Sequence, residues 1–320
     1  MLKYAELSRR EATAIPRAPD FSRETRALNP LDLVNLTPLM ELTSGRSEVI
    51  IGLIDGPVVI DHPELTGENV REIPGGIGGT CAQASSLACM HGTFVAGILC
   101  ARRTSAAPAI CPGCTLLVRP IFSETPKASE LIPSATPEEL ADAVVECVDA
   151  GARVVNLSAA LAQVPSSRGE RALAQALDHA ANRGVIIVAA AGNQAMIGST
   201  AITRHPSVIA VVACDRLGRA LNESNFGNSI GRRGLSAPGE CITSLGTDSK
   251  SAPSGGTSVA APFVTGAIAL VWSQFPDVSA GRIRVAITQA HTQRWPTVIP
   301  PLLNAWAIYA SMPESSSSNL

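Results

Sequence analysis

Three short stretches of this chain, far apart and in a fixed order, carry an acid, an imidazole and a hydroxyl among small and apolar neighbours. Val49-Ile50-Ile51-Gly52-Leu53-Ile54-Asp55-Gly56 leads to a carboxylate, and His91-Gly92-Thr93-Phe94-Val95-Ala96-Gly97 opens on an imidazole. Gly255-Gly256-Thr257-Ser258-Val259-Ala260-Ala261-Pro262 sets a hydroxyl at the start of an apolar run. Serine is a weak nucleophile until a base takes its proton, and the base needs a carboxylate to fix its tautomer. Asp55, His91 and Ser258 therefore suit a nucleophilic relay. The other histidines of the chain, His62, His179, His205 and His291, have no comparable surroundings. Each group alone also has a plainer reading: Asp55 as a strand-end turn cap, His91 as a helix-capping or buried histidine, Ser258 as an N-cap. Their joint occurrence is far more specific than any one of them.

The elements that must position these groups alternate along the chain. Apolar runs predict strands at 49–54, 115–120, 154–157, 185–190 and 208–213, and helical spacing predicts helices at 92–101, 137–150, 169–183 and 258–274. A further short helix is expected over 31–43. Pro137 after Thr136, with Glu138 and Glu139 following, is a helix start, and Gly151 and Gly184 fall where C-cap glycines belong. Alternating strands and helices imply an α/β fold, a mostly parallel twisted sheet with helices on both faces. Ligands of such sheets bind beyond the carboxyl ends of the strands, where Asp55 and Asn193 both fall.

With Ala189-Ala190-Ala191-Gly192-Asn193 between imidazole and hydroxyl, the chain resembles the subtilisin-like serine peptidases, or subtilases, whose acid, base and nucleophile follow in this order. The likeness runs from about residue 48 to about residue 290. It implies a subtilisin-like fold, Asp55, His91 and Ser258 as catalytic groups, and the Asn193 amide as oxyanion donor beside the Ser258 N–H. Gly192-Asn193 is also a common turn pair. The resemblance further implies Ser158-Ala159-Ala160-Leu161, with Gly192, as the edge that an extended peptide pairs with.

Departures from the family pattern are informative. Phe94 stands where many subtilases carry histidine, and Asp55-Gly56-Pro57-Val58 replaces the usual Asp-Ser-Gly or Asp-Thr-Gly. Asp61 and His62-Pro63 resemble the family's His-Pro loop instead of a rival relay. Both glycines of the peptide-binding edge are replaced, by Ala160 and Leu161, which should narrow the pockets and favour a selective protease. The Asp-Gly-Pro-Val flank and the Gly-Thr-Ser-Val-Ala-Ala-Pro motif resemble proteases that mature ribosomal peptides, the cyanobactin type among them. That implies removal of a leader from a precursor peptide. Cyclising relatives carry a helical insertion near the active site, but here the corresponding stretch, 74–89, is short and rich in Gly, Ser and Ala. Hydrolysis is the expectation, with a macrocyclase and a peptide-binding pseudoprotease as the alternatives. An α/β-hydrolase is disfavoured, because Gly-Thr-Ser-Val-Ala is not a Gly-x-Ser-x-Gly elbow.

Composition bounds the rest. The 320 residues are 46% hydrophobic, 16% charged and only 3% aromatic, which fits a large core of Ala, Val, Leu and Ile. A net charge of −2 gives no reason to expect nucleic acid or an anionic membrane as partner, and Arg232-Arg233 reads as a solvated loop. No apolar run reaches the roughly 20 residues that span a bilayer. The first 30 residues lack the apolar region of a signal peptide and read as a partly ordered arm. Residues 31–312 read as the peptidase domain, 313–320 as a disordered tail, and the cytoplasm is the expected compartment. Neither a cofactor nor a metal is expected, since no acidic cluster has calcium-ligand spacing. Of the eight cysteines, the pairs Cys81/Cys89 and Cys111/Cys114 read equally well as local disulfides or inert thiols. Cys100, Cys147, Cys214 and Cys241 read as core.

Overall fold

The computed structural model describes residues 2–4, 29–65, 69–73, 81–124, 134–161, 166–248, 250–290 and 297–312, with 2–4, 134 and 159–161 described by backbone alone. The chain opens with β1 (Leu2–Tyr4), α1 (Pro30–Leu33), α2 (Thr37–Leu42), β2 (Ile50–Asp55) and β3 (Val70–Glu72). It continues through α3 (Leu87–Cys100), β4 (Thr115–Pro120), β5 (Ser134–Ala135), α4 (Pro137–Asp149), β6 (Val154–Leu157) and β7 (Ala159–Leu161). Next come α5 (Ser167–Asn182), β8 (Ile186–Ala190), α6 (Ala201–Arg204), β9 (Val208–Cys214), α7 (Asn228–Arg233) and β10 (Leu235–Pro238). β11 (Ile242–Leu245), β12 (Ser251–Ser254), α8 (Thr257–Gln274), α9 (Ala280–Gln289) and α10 (Ala305–Ala310) complete it.

Seven strands form one sheet in the order β10-β9-β8-β6-β2-β4-β3, and every neighbouring pair is parallel. The strand runs are almost wholly buried, Ile187, Val188, Val211 and Val212 among them, as a sheet covered on both faces requires. One face carries α3 and α8 in a core built on Leu53, Val95, Phe263, Leu270 and Trp272. The other carries α4 and α5 over Ile54, Val144, Leu157 and Leu177. α8 is apolar all round and buried from Thr257 to Ser273, the pattern of a central helix without a wet side. α4 starts where Thr136 caps the Glu139 N–H while the Glu139 carboxylate accepts from the Thr136 N–H.

The strand order reverses at β2, whose neighbours are β4 on one side and β6 on the other. A crevice opens beyond the carboxyl end of such a switch strand. Asp55 is the last residue of β2 and lies at that crevice.

Several details differ from the sequence expectation. The helix expected over 31–43 is two short ones, broken where Asn35 takes φ 52°. α3 begins at Leu87, five residues earlier than its apolar periodicity suggested, because Ser86 caps the Cys89 N–H. His91 is therefore inside the helix. Arg232 and Arg233 lie in the last turn of α7, where basic side chains complement the helix dipole, and not in a loop. Cys241 is exposed with φ 49°, so the core assignment fails for it: it sits in the tight turn before β11. Cys81 and Cys89 form a disulfide, whereas Cys111 and Cys114 are free and buried. The expected arm apart from β1, Asn29 and Pro30, the stretch 74–80, His291 and the tail 313–320 lie outside the described residues. Among the described residues, no helix is long and apolar enough to cross a membrane.

Burial pushes the thiols of Cys147 and Cys214 up to about 12, so both stay protonated and shielded at neutral pH. Iodoacetamide on the native protein at pH 8 should label Cys241 and leave Cys100, Cys111, Cys114, Cys147 and Cys214 unmodified. Peptide mapping by mass spectrometry checks this, and rapid labelling of Cys147 would contradict the packing of α4 on the sheet.

Candidate active site

Asp55, His91 and Ser258 come from three separate elements and meet at the switch-point crevice. The Asp55 carboxylate is fully buried, and its Oδ1 lies 2.7 Å from His91 Nδ1 and accepts from the Gly56 N–H at 2.6 Å. On the other side of the ring, His91 Nε2 is 2.9 Å from Ser258 Oγ. With Nδ1 protonated toward the carboxylate, Nε2 keeps its lone pair and can accept the Ser258 hydroxyl proton. His91 is 7% exposed and Ser258 2%, so the line of three groups is shielded from bulk water.

Small residues make this meeting possible. A Cβ on Gly92 would stand 2.4 Å from the carbonyl oxygens of both Gly56 and Pro57, so α3 passes the turn after Asp55 in backbone contact. On the far side of that turn, Thr93 Oγ1 accepts from the Val59 N–H at 3.1 Å. Gly256 has φ 114°, a conformation that disfavours other residues, and a Cβ there would meet Asn193 Nδ2 at 2.6 Å. Phe94 is buried in the core that α3 shares with α8, so its ring packs there.

Ser258 is the second residue of α8, beyond the Gly256 cap, so its N–H is among those with no carbonyl one turn earlier. Asn193 lies beside it: the Thr257 N–H donates to Asn193 Oδ1 at 3.0 Å, which leaves Nδ2 as the donor end of the amide. Thr257 Oγ1 in turn accepts from the Gly192 N–H at 3.1 Å, and the Gly192 carbonyl accepts from the Asn225 N–H at 2.8 Å. Both backbone groups of Gly192 are thus used inside the scaffold. With φ 103° it shapes the turn under Asn193.

Pro262 is the sixth residue of α8, in its second turn. It has no N–H to give to the Ser258 carbonyl four residues earlier. Ser158 Oγ donates to that carbonyl at 3.5 Å and accepts from Asn156 Nδ2 at 2.7 Å, while Thr265 Oγ1 donates to Asn156 Oδ1 at 2.8 Å. The Ser158 side chain is therefore a fully buried support behind Ser258, and only the backbone that follows it, β7, lies at an edge. The side chains of Ala159, Ala160 and Leu161, on which the narrowed pockets depend, are outside the described residues.

Sequence reasoning missed several supporting residues. Asn225 Oδ1 accepts from the N–H groups of Gln194 and Met196 and its Nδ2 donates to the Ala191 carbonyl, fixing the loop that carries Asn193. Glu124 accepts from the N–H groups of Ala82 and Gln83 and from Ser86 Oγ, and so steadies the start of α3. No local pattern marks Asn225 or Glu124, because their partners are distant in sequence. Among the described residues, Cys81, Cys89 and Glu124 form a grouping of metal-ligand type. The two sulfurs are joined to each other and the carboxylate is committed to backbone N–H groups.

The thermophilic serine proteinase of Bacillus sp. (strain AK1) is 32% identical over 259 residues, 79% of this chain and 58% of that protein, so the chain spans little more than half that relative's length. Among solved structures, the protease domain of PatA superposes with a TM-score of 0.75 at 28% identity, over 83% of this chain and 95% of that one. The PatG macrocyclase domain, at 20% identity, shares the fold with a TM-score of 0.71 over 88% of this chain and 96% of that one. A sequence model of the subtilase family matches residues 46–301, a span that takes in Asp55, His91, Asn193 and Ser258. This chain belongs to the subtilase family of peptidases, with a subtilisin-like α/β fold.

Proposed function

We propose that the chain is a serine endopeptidase that cleaves an extended peptide through an acyl-enzyme. The observation that carries this reading is the unbroken line from Asp55 Oδ1 through His91 to Ser258 Oγ, at 2.7 and 2.9 Å. Ser258 Oγ attacks the scissile carbonyl carbon as its proton passes to His91 Nε2, and Asp55 offsets the imidazolium charge. The carbonyl oxygen, now negative, meets Asn193 Nδ2 and the Ser258 N–H at the start of α8. His91 then gives its proton to the leaving amine, and water enters the same path in reverse to release the acyl group.

The substrate we assign is a ribosomal precursor peptide from which a leader is removed. This rests on the likeness to the protease domain of PatA, described elsewhere among the solved structures as the patellamide maturation protease. We place this cleavage in the cytoplasm, where a ribosomal precursor peptide is made. Ring closure is the second reading, since the PatG macrocyclase shares the fold. Hydrolysis is favoured over it because, from Cys81 onward, the stretch where cyclising relatives carry an insertion is a disulfide-tied turn leading into α3.

Incubation with a fluorophosphonate, followed by peptide mapping, should place the label on Ser258 alone, with none on Ser258→Ala. A wild-type protein that stays unlabelled, or one labelled equally well after Ser258→Ala, contradicts the assignment. Asn193→Ala should retain the fold by circular dichroism and lose turnover on the order of 10²–10³-fold, the scale known for loss of such a donor in subtilisin. A loss below about threefold would remove Asn193 from the oxyanion site.

A further inference from the structure

Outside the relay, one place brings two sulfurs and a carboxylate together. Cys81 Sγ, Cys89 Sγ and a carboxylate oxygen of Glu124 all lie within 4.8 Å of one another. They come from a loop, from the first turn of α3 and from the segment after β4, so only the fold assembles them. In the bridged form the two cysteines face each other across a Cα–Cα distance of 5.6 Å. Two thiolates that share a tetrahedral zinc stand about 3.8 Å apart, given Zn–S bonds of about 2.3 Å. Cysteines this close pass from the one arrangement to the other by side-chain rotation.

Glu124 is placed to complete such a site. Its Oε1 accepts from the Gln83 N–H at 2.9 Å and from Ser86 Oγ at 3.3 Å, and its Oε2 accepts from the Ala82 N–H at 2.9 Å. A carboxylate has about four lone-pair sites, so Oε2 keeps one for a metal while three hydrogen bonds orient the group. Cys89 is the third residue of α3, and the positive end of that helix offsets the negative charge left when two thiolates and a carboxylate meet a divalent cation. Cys81 is half-buried and Cys89 fully buried, so one sulfur is open to a reductant or a metal and the other is shielded.

We propose that Cys81, Cys89 and Glu124 form a zinc site when the disulfide is open, so that bridge and metal are exchangeable clamps on the start of α3. A dithiol reductant opens the bridge: one of its thiolates attacks Cys81 Sγ, and Cys89 leaves as a thiolate. The second thiolate of the reductant then attacks its own sulfur in the mixed disulfide and releases Cys81. The reductant ends as a disulfide, and the protein has gained two electrons and two protons. Zn²⁺ next binds both sulfurs and Glu124, the two thiol protons pass to solvent, and water takes the fourth position. Either clamp ties the loop to α3 two residues before His91. The proposal goes beyond the peptidase reading and stands whether or not Ser258 is the nucleophile.

The test uses the full chain, reduced with a phosphine and freed of it without air. Co²⁺ is the probe, because thiolate ligation gives it a charge-transfer band in the near ultraviolet. One equivalent of Co²⁺ should produce the band, and Zn²⁺ should abolish it by displacement. The bridged protein, Cys81→Ser and Cys89→Ser should give no band, and Cys111→Ser an unchanged one. Glu124→Gln should bind Co²⁺ at least about tenfold more weakly. Without any substitution, Zn²⁺ should slow iodoacetamide labelling of Cys81 in the reduced chain at least about tenfold and leave that of Cys241 unchanged. No band in the reduced protein, a band that survives either cysteine change, or unchanged affinity in Glu124→Gln overturns the proposal. So does labelling of Cys81 that is indifferent to Zn²⁺.

Discussion

The site depends on one close approach: α3 passes the turn after β2 so tightly that the residue after His91 has no room for a Cβ. Gly92 lies against the carbonyl oxygens of Gly56 and Pro57, and this contact brings the His91 ring within hydrogen-bond distance of Asp55. An ångström of separation here would break the 2.7 Å contact that fixes the imidazole tautomer. The disulfide Cys81–Cys89, the Ser86 cap and the Glu124 carboxylate all act just before His91, stiffening the stretch of α3 that must hold this distance. Thr93 Oγ1, accepting from the Val59 N–H, fastens the other side of the turn.

Ser258 depends on a second constraint, a buried polar cluster in a helix that is otherwise apolar. Pro262 withdraws an N–H from α8 just where the Ser258 carbonyl needs one, and an unpartnered buried carbonyl costs about 1–3 kcal/mol. Ser158, Asn156 and Thr265 meet that need through a chain of hydrogen bonds reaching from the sheet into α8. The same chain joins the end of β6 to the start of α8, so the nucleophile is referenced to the sheet as well as to its own helix. Thr257 does the equivalent for the oxyanion side, tying α8 to Gly192 and Asn193 at the end of β8. Asp55 at a strand end, His91 within α3 and Ser258 at a helix start are each held by neighbours from another element, a requirement for pre-organised catalysis.

Much of this was legible in the residues. The apolar runs of β2, β4, β6, β8 and β9 are fully buried parallel strands, whose composition overrides any competing periodicity, so their positions were readable to within a residue or two. Asp55, His91 and Ser258 were identifiable as a set because small residues flank each of them, and Asn193 joined them through the family resemblance; the glycines at 92 and 256 turn out to be demanded by the 2.4 and 2.6 Å contacts a Cβ would make there. β3, β5, β7, β11 and β12 were not legible, since two to four residues carry no usable periodicity and take their form from the edges they join. The supports at Asn225, Glu124 and Asn156 were equally hidden: a polar side chain in a loop or strand shows no partner until the fold supplies one. The internal hydrogen bonds of Ser158 and Gly192 were hidden in the same way, since their partners at 156, 258 and 257 are set by the fold.

The account's central claim is that the carboxylate of Asp55 holds the His91 ring so that Nε2 is free to take the Ser258 proton. Nitrogen-15 NMR of protein labelled at histidine, recorded at pH 8, reads the tautomer of His91 directly, with assignment by His91→Gln. The account predicts a neutral ring protonated at Nδ1 and bare at Nε2, and loss of that preference in Asp55→Ala. A His91 ring protonated at Nε2 in the native protein, or a tautomer unchanged by removing Asp55, would contradict it.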